Sequence, residues 1–279
     1  MSTEKLNFKY CDQLVQDFED AVENPIKSKS SVYYTGVDLG TACVVVAVLD
    51  ENHRPVAGAY RWADVVRDGM VVDYIGAVQI VRELKQEVEE KLGTELIYAA
   101  AAIPPGTDAL DGGAVKNVVQ GAGFELAGLF DESTAANAVL KIKSGAVVDI
   151  GGGTTGISIF KDGELVHVAD EPTGGTHFSL VVSGAYKMEF SEADAFKRNK
   201  KNHAELLPVL RPVMEKVSAI ISDHIAPHDV QAIALVGGTC CLTGIEEVIG
   251  KKTGIYTHKP KNPMFVTPLG IALNCRVED

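Results

Sequence analysis

Nothing in this sequence approaches the ~20 consecutive apolar residues that a helix needs to cross a bilayer, and its polar, acidic beginning lacks the charged-then-apolar order of a signal sequence. Neither a membrane span nor export is expected. The five cysteines, Cys11, Cys43, Cys240, Cys241 and Cys275, are odd in number and never spaced Cys-x-x-Cys. That excludes a disulfide framework and a zinc site as expectations, and a reducing cytoplasm fits. Positive charge is scarce too: 26 Lys and Arg stand against 38 Asp and Glu, a net charge of -12. Nucleic acid and anionic membrane need clustered positive charge, so neither is expected as a partner. The basic run Lys197, Arg198, Lys200 and Lys201 reads as a solvated helix face. What is present suffices for a core: 279 residues, 46% hydrophobic and 23% charged, predict a soluble globular protein of one large domain or two ordinary ones.

The most informative stretch is residues 146–158, AVVDIGGGTTGIS. An apolar run ends at Asp149, three glycines follow, and after Thr154 and Thr155 a second apolar alternation begins. This reads as strand, tight turn, strand. Glycines without Cβ let several backbone N–H groups approach an anion. Asp149 adds a metal-facing carboxylate and the threonines add neutral donors, which is the equipment of a phosphate and Mg²⁺ site.

The pattern occurs twice. Residues 32–38, 43–49 and 55–61 read as three antiparallel strands whose first turn carries Asp38, Gly40 and Thr41. Asp149 to Thr154, followed by strands at 156–160 and 164–169, repeats the arrangement. A duplication at this period implies two similar α/β domains facing each other, whose two glycine turns would clamp a polyphosphate in the cleft between them. Residues 1–31 read as an amphipathic helix and linker, 32–144 as a first lobe and 145–279 as a second. The helix at 6–22 has a stripe of Leu6, Tyr10, Leu14, Phe18 and Val22, which either docks on the body or engages a partner. Residues 62–73 read as a loop with a turn at Asp68-Gly69. A helix at 75–92 stopped by Gly93, a buried strand at 95–103 closed by Pro104-Pro105-Gly106, a helix at 114–120 and a strand at 124–130 follow. The helix at 131–141 opens with Asp131 or Ser133 as cap and Glu132 at the junction. In the second half, Gly174 and Gly175 form another backbone-exposing turn before a helix at 178–186. A helix at 191–200 is expected to be capped by Ser191 with Asp194, and another is expected at 206–225. A strand at 232–236 leads into Gly237-Gly238-Thr239, then helices at 245–250 and 268–274.

These residues resemble the actin, sugar-kinase and heat-shock-chaperone ATPase superfamily. Its five motifs appear in order as DLGT from Asp38, DESTAANA from Asp131, DIGGGTTGIS from Asp149, LVGGTCCLTGIEEVI from Leu235 and PLGIAL from Pro268. More narrowly, WADVVRDGMVVDYIGAV, IPPGTD, TGGTHFSL and TPLGIA are similar to the ethanolamine-utilisation EutJ family, chaperone-like proteins encoded with bacterial microcompartment components. The resemblance implies duplicated actin-like, ribonuclease H-like domains, each a mixed sheet flanked by helices, binding ATP and Mg²⁺. Asp38 and Asp149 would hold the Mg²⁺. Gly40, Thr41, Gly151, Gly152, Gly153, Thr154 and Thr155 would bind phosphates, Gly174 and Gly175 would face ribose and phosphates, and Gly237, Gly238 and Thr239 would lie against the nucleoside. Glu132 would orient the attacking water, with Asp149 helping to orient or deprotonate it.

The chain also departs from the superfamily. Residues 61–76 hold no catalytic lysine, only Arg61 and Arg67. Between Lys201 and Leu206 there is no inserted subdomain to wall the adenine, Cys241 stands where chaperone relatives carry an adenine-facing arginine, and peptide chaperoning through a domain after Asn274 is not expected. Three classes of function stay open: a weak ATPase or nucleotide switch acting on a microcompartment or ethanolamine-utilisation protein, a non-hydrolysing scaffold of the microcompartment, and a small-molecule kinase. A cytoplasmic location, with microcompartment association, is what the resemblance implies.

Overall fold

A computed structural model describes residues 7–27, 30–67, 69–105 and 109–277. Leu6 of the expected N-terminal stripe, part of the linker, Asp68 and Gly106 lie outside the described residues. In chain order the elements are α1 (Lys9–Glu23), β1 (Tyr34–Leu39), β2 (Cys43–Leu49), β3 (Pro55–Trp62), β4 (Val66–Arg67), β5 (Met70–Val71), α2 (Tyr74–Leu92), β6 (Tyr98–Ile103), α3 (Ala109–Gly121), β7 (Glu125–Asp131) and α4 (Glu132–Leu140). The repeat then begins with β8 (Gly145–Ile150), β9 (Thr155–Lys161) and β10 (Glu164–Glu171). It continues with α5 (Gly175–Tyr186), α6 (Phe190–Arg198), α7 (His203–Ile225), β11 (Ala232–Val236), α8 (Ile245–Thr253), β12 (Tyr256–His258) and α9 (Val266–Asn274).

The duplication is visible in the hydrogen bonding. One five-stranded sheet has the order β3-β2-β1-β6-β7 and the other β10-β9-β8-β11-β12. In each, three antiparallel strands form a meander, and two parallel strands join its first member through helical crossovers. Two compact units result, one of Phe8–Lys141 with Phe265–Asp279 and the other built on Ile142–Met264.

In the first unit, α2 shows how local signals set an element. Asp73 caps it by accepting from the Gly76 N–H at 2.9 Å, Ala77, Val81, Leu84, Val88 and Leu92 form its buried stripe, and Gly93 ends it in the left-handed region at φ 74°. These side chains meet Val37, Val46, Val48 and Val118 in one core. A smaller cluster of Ala100, Ala102, Ala135, Ile271 and Cys275 brings α4 and α9 onto the sheet. Glycine makes that packing possible, because a Cβ on Gly36 would fall 2.6 Å from the Ala272 nitrogen, and one on Gly270 would collide with the Ala135 carbonyl. The PLGIAL motif is thus a helix-packing surface.

α1 docks on the protein's own body. Cys11, Leu14, Val15, Phe18 and Ala21 are its buried residues, so the stripe is turned from the expected one and Tyr10 is 44% exposed. Phe18 stacks edge-on with Phe265 at 5.2 Å. Burying each of its larger apolar side chains stabilises by roughly 1.5–3 kcal/mol.

Other expectations need correction. The segment at 62–73 contains the short hairpin β4–β5, and β12 was not foreseen; two or three residues are too few to show a period. Ser191 does not cap α6: its N-cap is Glu189, without a side-chain cap bond, and Asp194 serves a tertiary contact. Lys197, expected on a solvated face, is buried. Among the described residues, no helix is long and apolar enough to cross a membrane.

Candidate functional site

In the second unit β8 ends at Ile150 and β9 begins at Thr155, leaving Gly151-Gly152-Gly153-Thr154 as the turn, closed by the Gly151 N–H donating to the Thr154 carbonyl at 3.0 Å. The turn's carbonyls are tied down from behind. That of Gly151 accepts from the Gly175 N–H at 2.9 Å and the Thr239 hydroxyl at 2.7 Å. That of Gly152 accepts from the Thr176 N–H at 2.8 Å and its hydroxyl at 3.0 Å. In a trans peptide C=O and N–H point opposite ways, so the N–H groups of Gly152 and Gly153 are turned away from these partners. Successive N–H groups aimed one way make an anion cradle.

The flanking glycines are explained by the same closeness. A Cβ on Gly174 would lie 2.5 Å from the Gly153 carbonyl carbon and 2.7 Å from the Thr154 nitrogen, and one on Gly175 would lie 2.6 Å from Thr239 Oγ1. Gly237 has φ 90°, and a side chain there would strike the Asp149 carboxylate. Gly175, Thr176 and Thr239 therefore brace the turn from behind, Gly174 and Gly237 are held to glycine by close backbone or Asp149, and Gly238 has open space around its Cα. Of the two threonines, Thr154 is half-buried at the turn, while Thr155 is fully buried and its hydroxyl donates to the Thr173 carbonyl inside the sheet.

Asp149 is the penultimate residue of β8, in register with Gly156 of β9 and Val236 of β11, and 7% exposed. Cys240 lies beside it, fully buried; burial first, and then the Asp149 charge, push its thiol well up and keep it a neutral filler. Cys241 Sγ meets Asn262 Oδ1 at 3.5 Å.

The first unit repeats the placement. Asp38 is the penultimate residue of β1, paired with Val45 and half-buried, and Gly40 and Thr41 make the turn into β2. A Cβ on Gly40 would lie 2.8 Å from the Cys43 carbonyl, so this turn closes only around glycine. Asp131 caps α4 by accepting from the Thr134 N–H at 2.8 Å, which settles the choice against Ser133 and leaves half-buried Glu132 as a first-turn carboxylate rather than the cap. Asp38 lies one residue before the end of β1 and Glu132 follows β7, two strands across on the C-terminal edge of the parallel strands, roughly 10 Å apart in a sheet of this spacing. In the other unit Asp149 and Gly237 also end parallel strands, the edge where open α/β sheets bind ligands.

One charged group escaped the sequence reading. Lys197 Nζ donates to the Gly175 carbonyl at 2.9 Å and the Ser179 hydroxyl at 2.7 Å, and pairs with Asp194 at 3.0 Å. Burial pushes its ammonium down while Asp194 opposes that shift. Burial works the other way on Asp194, yet the Lys197 charge, hydrogen bonds from Lys197 and Ser179, and Arg198 hold its carboxyl low. A buried cation thus sits one hydrogen bond behind the start of α5. Its signal was its place four residues after buried Ala193 on the inner face of α6.

The region expected to lack a lysine holds Arg61, paired with Glu83 at 2.6 Å and Glu87 at 3.7 Å, and Arg67, paired with Asp64 at 3.7 Å. Only a single 3₁₀ turn, Lys200–Asn202, separates α6 from α7. Among the described residues no cluster of three or more His, Cys, Asp or Glu could hold a metal. Mg²⁺ does not require one, since one or two carboxylates with phosphates and waters suffice. Asp38 and Asp149 each offer one such carboxylate, one in each unit.

Comparison with known proteins gives the architecture a context. Residues 133–265 match the family of the type IV pilus assembly protein PilM, and residues 60–195 match the MreB/Mbl protein family. The ethanolamine utilization protein EutJ of Salmonella typhimurium is 42% identical over 246 residues, 88% of this chain and 86% of that protein. The crystal structure of ethanolamine utilization protein EutJ from Carboxydothermus hydrogenoformans superposes with a TM-score of 0.89 at 48% identity, covering 94% of this chain and 97% of that one. MreB5 of Spiroplasma citri, in a crystal structure bound to ADP, superposes with a TM-score of 0.70 at 16% identity, over 87% and 96% of the two chains, a likeness of fold. The fold is actin-like.

Proposed function

This chain belongs to the ethanolamine utilization protein EutJ family, and from that premise we propose that it binds Mg²⁺–ATP and acts as a chaperone-like nucleotide switch on a protein partner of the ethanolamine-utilisation system. The observation that carries this reading is the bracing of the triple-glycine turn. Gly175, Thr176 and Thr239 hold the carbonyls of Gly151 and Gly152, so two N–H groups face the other way before any phosphate arrives. Such preorganisation removes an ordering cost from binding.

In this reading Gly40, Thr41, Gly151, Gly152, Gly153 and Thr154 would take the β- and γ-phosphates, and Asp38 and Asp149 would hold the ion. Gly174, packed on the Gly153 and Thr154 backbone, would reach the ribose and phosphates, Gly175 would hold the cradle from behind, and Gly238 would lie beside the nucleoside, while Thr155 supports the cradle through Thr173. When bound, Mg²⁺ supplies charge neutralisation at the phosphates. Glu132 would orient the attacking water, and Asp149 would help to orient or deprotonate it. With Arg61 and Arg67 both in ion pairs of their own, no cation from residues 61–76 is assigned to the transferred phosphoryl group, so turnover is slow and the bound state is long-lived. The partner is a microcompartment or ethanolamine-utilisation component in the cytoplasm. A second reading, a non-hydrolysing scaffold of the microcompartment, draws on one feature, the single 3₁₀ turn between α6 and α7, which leaves no inserted subdomain there to pack on an adenine.

Calorimetry with Mg²⁺–ATP on the wild type and on Asp149→Ala tests the proposal. The wild type should give a heat that Asp149→Ala loses in large part. No heat from either protein would end the nucleotide reading.

A further inference from the structure

The two sheets share their strand order but not what covers them. In the first, Gly58 of β3 pairs with Ala47 of β2, and the ring of Phe18 from α1 occupies the place of a Gly58 side chain. The matching position of the second sheet is Val168. It pairs with Ser158 of β9, which pairs with Val147 of β8, two residues before Asp149, as Ala47 pairs with Gly36, two residues before Asp38. Val168 is 39% exposed. Leu165 is 42% exposed and pairs with Phe160, two residues from Ser158, so it shares the face of Val168. Val166, at the irregularity between them, is 46% exposed. The opposite face is closed where His167 meets His224 of α7 at 3.2 Å. Three exposed apolar side chains within four positions of an edge strand is a pattern that soluble sheets avoid.

We propose that this face of β10 is the docking site for a basic amphipathic helix of a partner protein. The kind of occupant follows from the duplication, since the equivalent place on β3 is filled by a helix, α1, through Phe18 and Val22. Its charge follows from the surroundings. The hairpin at the foot of the strand exposes Asp162 and Glu164 against Lys161, and Asp170 follows Val168, on a chain of net charge -12; Glu171 is turned to His224 of α7. α1 of a second copy is excluded by the same charge, for Lys9–Glu23 holds Asp12, Asp17, Glu19, Asp20 and Glu23 against Lys9 alone. The site is independent of nucleotide binding in its argument.

The test uses the full chain and fluorescent peptides of about 18 residues, five helical turns: one with a leucine stripe at helical spacing and lysine elsewhere, one with glutamate in place of lysine, and one scrambled to destroy the stripe. By fluorescence anisotropy the basic striped peptide should bind, and Val168→Asp should weaken it by roughly tenfold or more. Leu165→Asp, a second exposed position, gives the same readout should Val168→Asp melt early. Equal binding by the scrambled or the acidic peptide would overturn the proposal, as would binding indifferent to both variants. Sedimentation completes it: a wild-type dimer that Val168→Asp turns into a monomer would assign the face to a second copy and overturn the partner helix.

Discussion

The hydroxyl of Thr239 donates to the carbonyl of Gly151 at 2.7 Å, across 88 residues of sequence, and so ties the turn after β11 to the turn after β8. Thr239→Val keeps the shape and removes the donor. A bond of this kind contributes about 1 kcal/mol, so melting should fall by about 2–4 °C. Mg²⁺–ATP affinity should fall with it, and Thr239→Ser should restore both. Calorimetry and thermal melts on the three proteins check this; unchanged affinity in Thr239→Val would separate the bracing from binding.

Two glycines of one region make opposite predictions. Gly174→Ala forces a Cβ against the backbone of Gly153 and Thr154, which costs about 1–3 kcal/mol as overpacking and displaces the cradle. Gly184, inside α5, has nothing within 4 Å of a built Cβ. Gly184→Ala should therefore stabilise by about 0.5–1 kcal/mol through helix propensity and leave nucleotide binding alone. Urea midpoints and nucleotide titrations distinguish the two.

The buried pair of Lys197 and Asp194 predicts an asymmetric mutational pattern. Asp194→Asn leaves the ammonium buried beside Gly175 without its counter-charge, at a cost of about 3–5 kcal/mol. Replacing both, as Lys197→Met with Asp194→Leu, should recover most of that loss, though Arg198, 2.9 Å from Asp194, then loses its partner too. A double-mutant cycle in urea reads the coupling directly.

Acid should loosen the second unit through His203. The Thr243 N–H donates to its Nδ1 at 3.1 Å, so Nε2 carries the proton and donates to the Lys197 carbonyl at 3.1 Å. A second proton would confront the Thr243 donor. Burial, with Lys259 and Lys200 adding to it, holds this imidazole below the ordinary histidine range, against a smaller upward pull from the Lys197 carbonyl. In the window between the lowered folded value and the ordinary one, the unfolded chain binds more protons. The stability is therefore complete above the ordinary range and lost as pH falls through it. Melting should drop between about pH 7.5 and pH 5.5, and the drop should shrink in His203→Gln. His167, lowered by burial and then by His228 and His224, titrates in the same direction and leaves a residual slope.

Glu132→Ala should leave Mg²⁺–ATP affinity near wild type and slow single-turnover hydrolysis by about 100-fold or more. An unchanged rate would remove Glu132 from the reaction.

The repeated Asp-x-Gly turn with a threonine close behind made the duplication legible, because strand, turn and strand leave a local signature and a like signature returned after Ala146. The alanine-rich run at Tyr98–Ile103 announced a strand buried on both faces, and Gly93 announced its helix end. What stayed hidden depended on tertiary neighbours. Glycines at 174, 175 and 237 are plain in the sequence, but the backbone that excludes their Cβ atoms belongs to other segments. Ser133 and Asp131 both suit a cap, and only the fold chose between them. Lys197 was obscured by the cations after it, although Ala193 and Lys197 share one helical face. The hairpin β4–β5 and the strand β12 were too short to declare themselves.

The helix α9 lends Ile271 and Cys275 to the alanine face of the first sheet, although residues 142–264 of the other unit lie between that helix and the rest of its own unit. During synthesis the half that is made second can therefore close its core while the half that is made first still waits. At bacterial elongation rates of a few to tens of residues per second, that wait is on the order of ten seconds. For that interval Ala100, Ala102 and Ala135 are without their lid, and the nascent chain is most open to a holding factor or to misassembly with a neighbouring copy.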